Sequence, residues 1–330
     1  MKIYVADKVS SYPVIDLISK EIGLFQNSIP ANLLLQSTSL QKCDAILVPH
    51  DAFYFHTNKN YISFLNKLSK DKPLIFSDRG DFPKKTRFQM GIALRVAIGP
   101  GEQMSNKILV PYNVESLDFL PYNNYTDKPR LSFVGYLPKL SMGRLYRSIL
   151  QTPSHPLQGN GAYVRKRTIR KIKKLEFETY ILERDTYGAS RKTARNLDVS
   201  RNEYLDSISD SDFVLSPRGD ANQSARFYEA LSCGRLPIVP NSRMQFPVPN
   251  QDFPEILLPL LNLKLGSTTQ TSKVISNVWE RLDGDATYKK TQMEIREFFK
   301  DTLDFNLFMG RFFRSSMDEI LEFSRKSDST

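Results

Sequence analysis

Residues 211–240 read SDFVLSPRGDANQSARFYEALSCGRLPIVP, and this stretch decides the fold. Phe213–Leu215 is a short apolar run, read as a strand buried on both faces. Pro217, Gly219, Asp220 and Asn222 then break the chain. Ser224 is a good N-cap residue type. Beyond it Phe227, Ala230 and Leu231 fall at helical spacing on one side, the side that should face a sheet. Gly234 suits the position just past a helix end, and Leu236–Val239 reads as the next strand. Strand, loop, helix and strand in that order make a βαβ unit, hence a parallel sheet. Arg226 and Glu229, three apart, share another side of the helix near its start. A helix N-terminus carries free N–H groups and partial positive charge, which suits a phosphate. Arg218 and Arg226 would add bidentate donors there, and Glu229 could accept from ribose hydroxyls. The plainer alternative is an exposed Arg–Glu pair and a solvated loop arginine.

The same alternation extends outward in both directions. Toward the N-terminus, Lys2–Val5, Ala45–Pro49, Leu74–Phe76, Leu94–Ile98 and Ile108–Val110 read as strands, with helices predicted at Val14–Ile22 and Tyr61–Leu68. The Pro- and Asn-rich residues 121–130 read as a linker. A second series opens at Leu131-Ser-Phe-Val-Gly135, with helices predicted at Arg144–Leu150, Tyr163–Leu175 and Arg201–Ile208 and a strand at Tyr180–Leu182. From Thr271 to Phe323 the pattern is helical, with Trp279, Leu282, Phe298, Phe299, Phe308 and Phe312 as apolar positions. The expectation is an α/β protein of two Rossmann-like parallel-sheet domains, 1–120 and 131–270, joined by a linker at 121–130. A helical segment, 271–330, is expected to pack across both.

Composition narrows the chemistry. The 330 residues bound the chain at about two domains. With 40% hydrophobic and 25% charged residues, a disordered or fibrous chain is excluded. Cys43 and Cys233 are the only cysteines and His50, His56 and His155 the only histidines, which excludes a disulfide scaffold and any cysteine-based zinc site. Lys and Arg total 46 against 36 acids, a net charge of +10, which favours an anionic partner or a phosphorylated substrate. No apolar run approaches the ~18 residues of a membrane span, and Asp7 and Lys8 interrupt the N-terminus before a signal-peptide core can form. A cytoplasmic protein, at most peripheral to a membrane, is expected. Gly99-Pro-Gly101 and Gly159-Asn-Gly161 lack the third glycine of a dinucleotide fingerprint, and no Gly-Lys-Ser/Thr exists for a P-loop.

The string SPRG…S-x-R-x-x-E-A-L…G-x-x-P-I-V resembles the C-terminal signature of exostosin-like glycosyltransferases (GT47-like). Leu131-Ser-Phe-Val-Gly135 followed by Arg144, together with AILVPH at 45–50 and Ala93-Leu-Arg95, is similar to further landmarks of that family. The resemblance spans roughly residues 40–245. It implies a GT-B fold, with the acceptor on the N-terminal domain and a nucleotide sugar, expected to be a UDP-sugar, on the C-terminal one. It implies that Arg226 contacts the diphosphate and Glu229 the ribose. It also implies that Gly135 lets backbone approach the phosphates, and that Arg218 and Ser224 belong to the donor loop, with Arg144 in the same site. No metal or other cofactor is expected.

The implied chemistry is inverting transfer. An acceptor hydroxyl of a glycan or glycolipid attacks the anomeric carbon while nucleotide diphosphate leaves. Such a step needs a base near the acceptor and positive charge at the leaving group. His50, Asp51, Asp78 and Asp81, which follow predicted strands, are the base candidates; the ordinary structural reading makes Asp78 and Asp81 turn residues and His50 a cleft-lining or satisfied histidine. Two competing patterns exist. Asp210-x-Asp212 and Asp283-x-Asp285 fit the D-x-D of metal-dependent GT-A-like transferases, although the first runs into a strand and the second lies between helices. The basic helix Tyr163–Lys174 would alternatively suit an anionic membrane surface or a non-catalytic glycan- or nucleic-acid-binding protein. With Tyr163 as its one aromatic, nucleic acid is the weaker of these.

Overall fold

The computed structural model describes residues 2–5, 36–37, 40–48, 63, 67, 72–78, 91–97, 107–139, 141–151, 156–184, 197–219 and 221–315. The chain divides into two compact units. The first comprises residues 1–97, 102–111 and 304–330, and the second residues 98–101 and 112–303.

The first unit holds a parallel sheet of six strands: β1 (Lys2–Val5), β2 (Gln36–Ser37), β3 (Ala45–Val48), β4 (Leu74–Asp78), β5 (Gly91–Arg95) and β6 (Lys107–Leu109), in the order β2-β1-β3-β4-β5-β6. Ala45, Ile46, Leu74, Ile75, Ala93 and Leu94 are buried, as expected of parallel strands covered on both faces. β5 begins three residues before its predicted start. GIALRVAI is apolar on both sides of Arg95, so its hydrophobicity does not set the register. Pairing of Ile75 with Ile92 and Asp78 with Arg95 does. β2 is polar and exists through its pairing with β1, which no local signal reveals. The predicted helix Val14–Ile22 lies outside the described residues. Of Tyr61–Leu68 only Ser63 and Lys67 are described, both helical and exposed.

The second unit is built on four parallel strands, β7 (Arg130–Tyr136), β8 (Glu178–Arg184), β9 (Phe213–Leu215) and β10 (Leu236–Ile238), ordered β10-β9-β7-β8. Numbering the described helices in chain order, α1 is Met142–Gln151, α2 Pro156–Gly159, α3 Gly161–Ile172, α4 Leu197–Ser209, α5 Ala225–Ser232, α6 Thr268–Glu280, α7 Asp285–Phe298 and α8 Phe305–Ser315. α8 belongs to the first unit. α5 buries Phe227, Tyr228, Ala230 and Leu231, the face its spacing predicts. Phe227, Phe246, Phe253 and Phe298 follow one another with centroids 5.0–5.2 Å apart. Full burial of each ring is worth about 1.5–3 kcal/mol.

Residues 121–130, read from sequence as a linker, are packed inside this unit. Arg235, fully buried, donates to Pro121 O (2.8 Å), Asn123 Oδ1 (2.9 Å), Ser209 O (3.0 Å), Ile208 O (3.2 Å) and Gln292 Oε1 (2.7 Å). Tyr125 stacks on Trp279 at 4.7 Å, and Trp279 donates its indole N–H to Thr126 O. Proline and asparagine here serve an extended strap with tertiary partners. α6 and α7, expected to pack across the domains, lie within the second unit.

Candidate functional site

The loop from Ser216 to Ser224 and the start of α5 follow the carboxyl end of β9, beside the end of β7. Ligands of open α/β sheets bind at such an edge. The loop is fixed from outside. Asn222 Nδ2 donates to Arg243 O (3.0 Å) and Gln223 Nε2 to Gln245 O (3.1 Å). The buried Tyr228 hydroxyl donates to Gln223 Oε1 (2.6 Å). From the opposite side Arg165 of α3 donates Nε to Arg218 O (3.0 Å) and Nη1 to Tyr136 O (2.8 Å).

Ser224 holds the N-cap position of α5 with extended backbone, but its hydroxyl makes no capping bond. The N–H groups of the first turn are therefore not closed by that side chain. Arg226, the second residue of α5, does not pair with Glu229. Its Nε and Nη2 both donate to Val134 O (3.1 and 2.9 Å), and the guanidinium lies 4.9 Å above the Phe133 ring. Nη1 is the arm that Val134 does not engage. Gly135 is brought against this group: a Cβ there would overlap the guanidinium. The missing side chain thus admits the Arg226 guanidinium. Arg218 is buried in the loop.

Glu229 accepts from the Tyr204 hydroxyl at Oε2 and from Arg201 Nη1 at Oε1 (3.1 Å). Arg201 also reaches Glu115 at 3.1 Å. Burial first, and then the Glu229 carboxylate, push the Tyr204 phenol well above its ordinary value, so it stays a donor at neutral pH. The Arg226 guanidinium lies 5.9 Å from the Tyr204 ring centroid. Tyr204 thus stands between the two residues that sequence paired directly. Arg201 and Tyr204 of α4, and Arg165 of α3, escaped sequence reading. The basic pattern around Arg165 was the only hint, and it read as a surface for an anionic membrane, glycan or nucleic acid.

The other predicted residues are placed as follows. Arg144 lies in the first turn of α1, its N–H accepted by Ser141 Oγ at 3.3 Å. Asp78 ends β4 in the first unit. His50, Asp51 and Asp81 lie outside the described residues. Asp212, of the first D-x-D pattern, is fully buried. It takes bonds from Arg130 N (2.9 Å), Nε (3.3 Å) and Nη2 (3.2 Å), from the Tyr288 hydroxyl (2.9 Å) and from Asn123 Nδ2 (3.4 Å). Asp285, of the second, accepts from Tyr125 N at 2.7 Å. Both patterns anchor the 121–130 strap. Among the described residues no cluster of three or more His, Cys, Asp or Glu side chains is arranged to hold a metal ion. The basic helix is largely engaged as well. Besides Arg165, Arg167 reaches Leu265 O, Lys171 reaches Leu265 O and Gly266 O, and Lys173 pairs with Glu183.

Residues 165–262 match the family model described as the RXYLT1 C-terminal domain, under a third of the chain. This segment contains the whole loop and α5. No curated protein sequence matches the chain. Among solved structures, TarM is 9% identical, with a TM-score of 0.38, over 87% of this chain and 54% of that one. The alpha-glucosyltransferase AGT in complex with UDP is 12% identical, with a TM-score of 0.41, over 97% and 98%. The catalytic domain of starch synthase IV from Arabidopsis thaliana, bound to ADP and acarbose, is 12% identical, with a TM-score of 0.30, over 88% and 57%. The chain spans about half the length of TarM. Each of its two units is built on a parallel sheet, which makes the fold class α/β.

Proposed function

We propose that the protein is a glycosyltransferase that moves a sugar from a UDP-sugar to a hydroxyl of a glycan or glycolipid acceptor, with inversion and without a metal ion. The observation that carries this reading is the N-terminus of α5, left without a side-chain cap, beside the pinned Arg226 fork and the Arg165-held loop of Arg218. Such a constellation neutralises a departing diphosphate with fixed donors, where water would have to reorganise. Glu229, oriented by Tyr204 and Arg201, is the proposed acceptor for ribose hydroxyls. Arg144 and Ser224 are proposed to border the same donor site. Single displacement forms the new C–O bond at the anomeric carbon as the bond to the diphosphate oxygen breaks. The acceptor proton passes to a base, proposed among His50, Asp51, Asp78 and Asp81. The metal-dependent alternative is disfavoured because the Asp212 carboxylate is fully engaged by structural donors.

Two readouts test the reading. Transfer from a panel of UDP-sugars should survive EDTA, and an α-linked donor should give a β-glycoside, read from the anomeric proton coupling. Activity lost in EDTA and restored by manganese would reject the metal-free reading. An α-product would reject single displacement.

A further inference from the structure

α1 is oriented against its own amphipathicity. Met142, Tyr146 and Ile149, at i, i+4 and i+7, form one apolar stripe, and they are 80%, 63% and 45% exposed. Ser148, on the other side, is 5% exposed. A helix packed for its own stability buries the apolar stripe and exposes the serine. Next along the chain, Leu157 of α2 is 46% exposed. Together with Tyr163, Arg167 and Lys264 it lines a cavity of about 490 Å³. α1 packs on α2 and α2 on α3, so these apolar groups lie on consecutive, touching elements.

Charge identifies what covers this surface. From Lys128 to Leu175 the sequence holds twelve Lys and Arg and no Asp or Glu. The whole chain is +10, so the remainder is net acidic by two, and the positive excess resides in this stretch alone. Some of these cations are used internally, as Arg130, Arg165, Arg167, Lys171 and Lys173 are. Lys139, three residues before α1, and Arg170 of α3 are exposed. An apolar helical stripe flanked by cations and free of acids is the pattern of a helix lying in a membrane interface. Nucleic acid would be met by cations and stacking aromatics, and gains nothing from Met142, Ile149 and Leu157.

We infer that α1 and the adjoining Leu157 dock the protein on an anionic lipid surface, with Met142, Tyr146 and Ile149 entering the headgroup–acyl boundary and the surrounding cations meeting lipid phosphates. The stripe lies on the side of α1 opposite Arg144, so vesicle binding is read separately from UDP binding.

Co-flotation of the full chain with vesicles of phosphatidylcholine and phosphatidylglycerol (3:1) is the test. The wild type should float with these vesicles and roughly tenfold less with pure phosphatidylcholine or in high salt. Substitution Met142→Ser with Tyr146→Ser and Ile149→Ser should cut binding at least about tenfold, with an unchanged melting midpoint because the side chains are exposed. Should that variant fail to fold, Lys139→Gln with Lys264→Gln should lower binding and weaken its salt dependence. Absence of vesicle binding overturns the inference, as does full binding by the serine variant. Binding to a 20-base-pair DNA duplex in place of vesicles overturns it too. So does a dimer in light scattering that the serine variant dissolves, since the stripe would then be covered by a second copy.

Discussion

At the scale of single residues, the site depends on side chains held by partners distant in sequence. Glu229 is oriented by a phenol and a guanidinium 25 and 28 positions away. If it binds ribose, Glu229→Gln should weaken UDP binding roughly tenfold, since a charge-assisted acceptor is lost while shape is kept. Calorimetry reads this directly; unchanged affinity would make Glu229 an ion-pair anchor for α4 and nothing more. The loop–helix junction that carries Arg218, Arg226 and Glu229 was legible because Pro217, Gly219 and the spacing of Phe227, Ala230 and Leu231 punctuate it. Tyr204 and Arg201 were not, because nothing local marks which face of α4 meets α5. Asp212 was misleading for a related reason: two acids two apart look the same whether they await a cation or already serve Arg130 and Tyr288.

At the scale of elements, α5 and its flanking strands were read almost to the residue, since an apolar triplet, a Pro-Gly loop, a helical stripe and a C′ glycine each punctuate the chain. Gly234 takes φ of +74°, where a Cβ would also meet the Gln292 carbonyl at 2.5 Å. Just before it, Cys233 is buried and donates to Glu229 O and Ala230 O. Burial pushes its thiol up to about 11 from an ordinary 9.0. A raised folded-state value means that stability is full below pH 9 and is lost as pH climbs to 11, because the unfolded chain releases its proton first. Denaturation with urea across that window should show Cys233→Ala losing about 2–3 kcal/mol less than wild type. Parallel losses would assign the alkaline sensitivity to Tyr204, Tyr228 and Tyr288, whose phenols burial also raises. β5 and the 121–130 strap were misread where local apolarity or proline content left the outcome to tertiary pairing.

At the scale of the whole molecule, the second unit is closed by a buried arginine that no charge pattern announces. Arg235 ties the 121–130 strap to α4 and α7 through carbonyl and amide acceptors, and burial lowers its basicity. Arg235→Gln should cost about 3–5 kcal/mol in urea denaturation by leaving those acceptors without their donor; a loss below about 1 kcal/mol would show that the strap holds without it. Two parallel-sheet units were legible from the alternation of apolar runs. The bounds of the units were not, because the strap and α6–α7 join the second unit through side-chain contacts that span more than a hundred residues. The start of α5, with Arg226, is proposed to receive a nucleotide diphosphate. Calorimetric titration of UDP into the full chain, without metal, tests it most directly. The wild type should bind, and Arg226→Ala should bind roughly 30- to 1,000-fold more weakly, the ~2–4 kcal/mol of one fixed charged donor, while still unfolding cooperatively. Equal affinity in the two proteins, or no binding by the wild type, would contradict it.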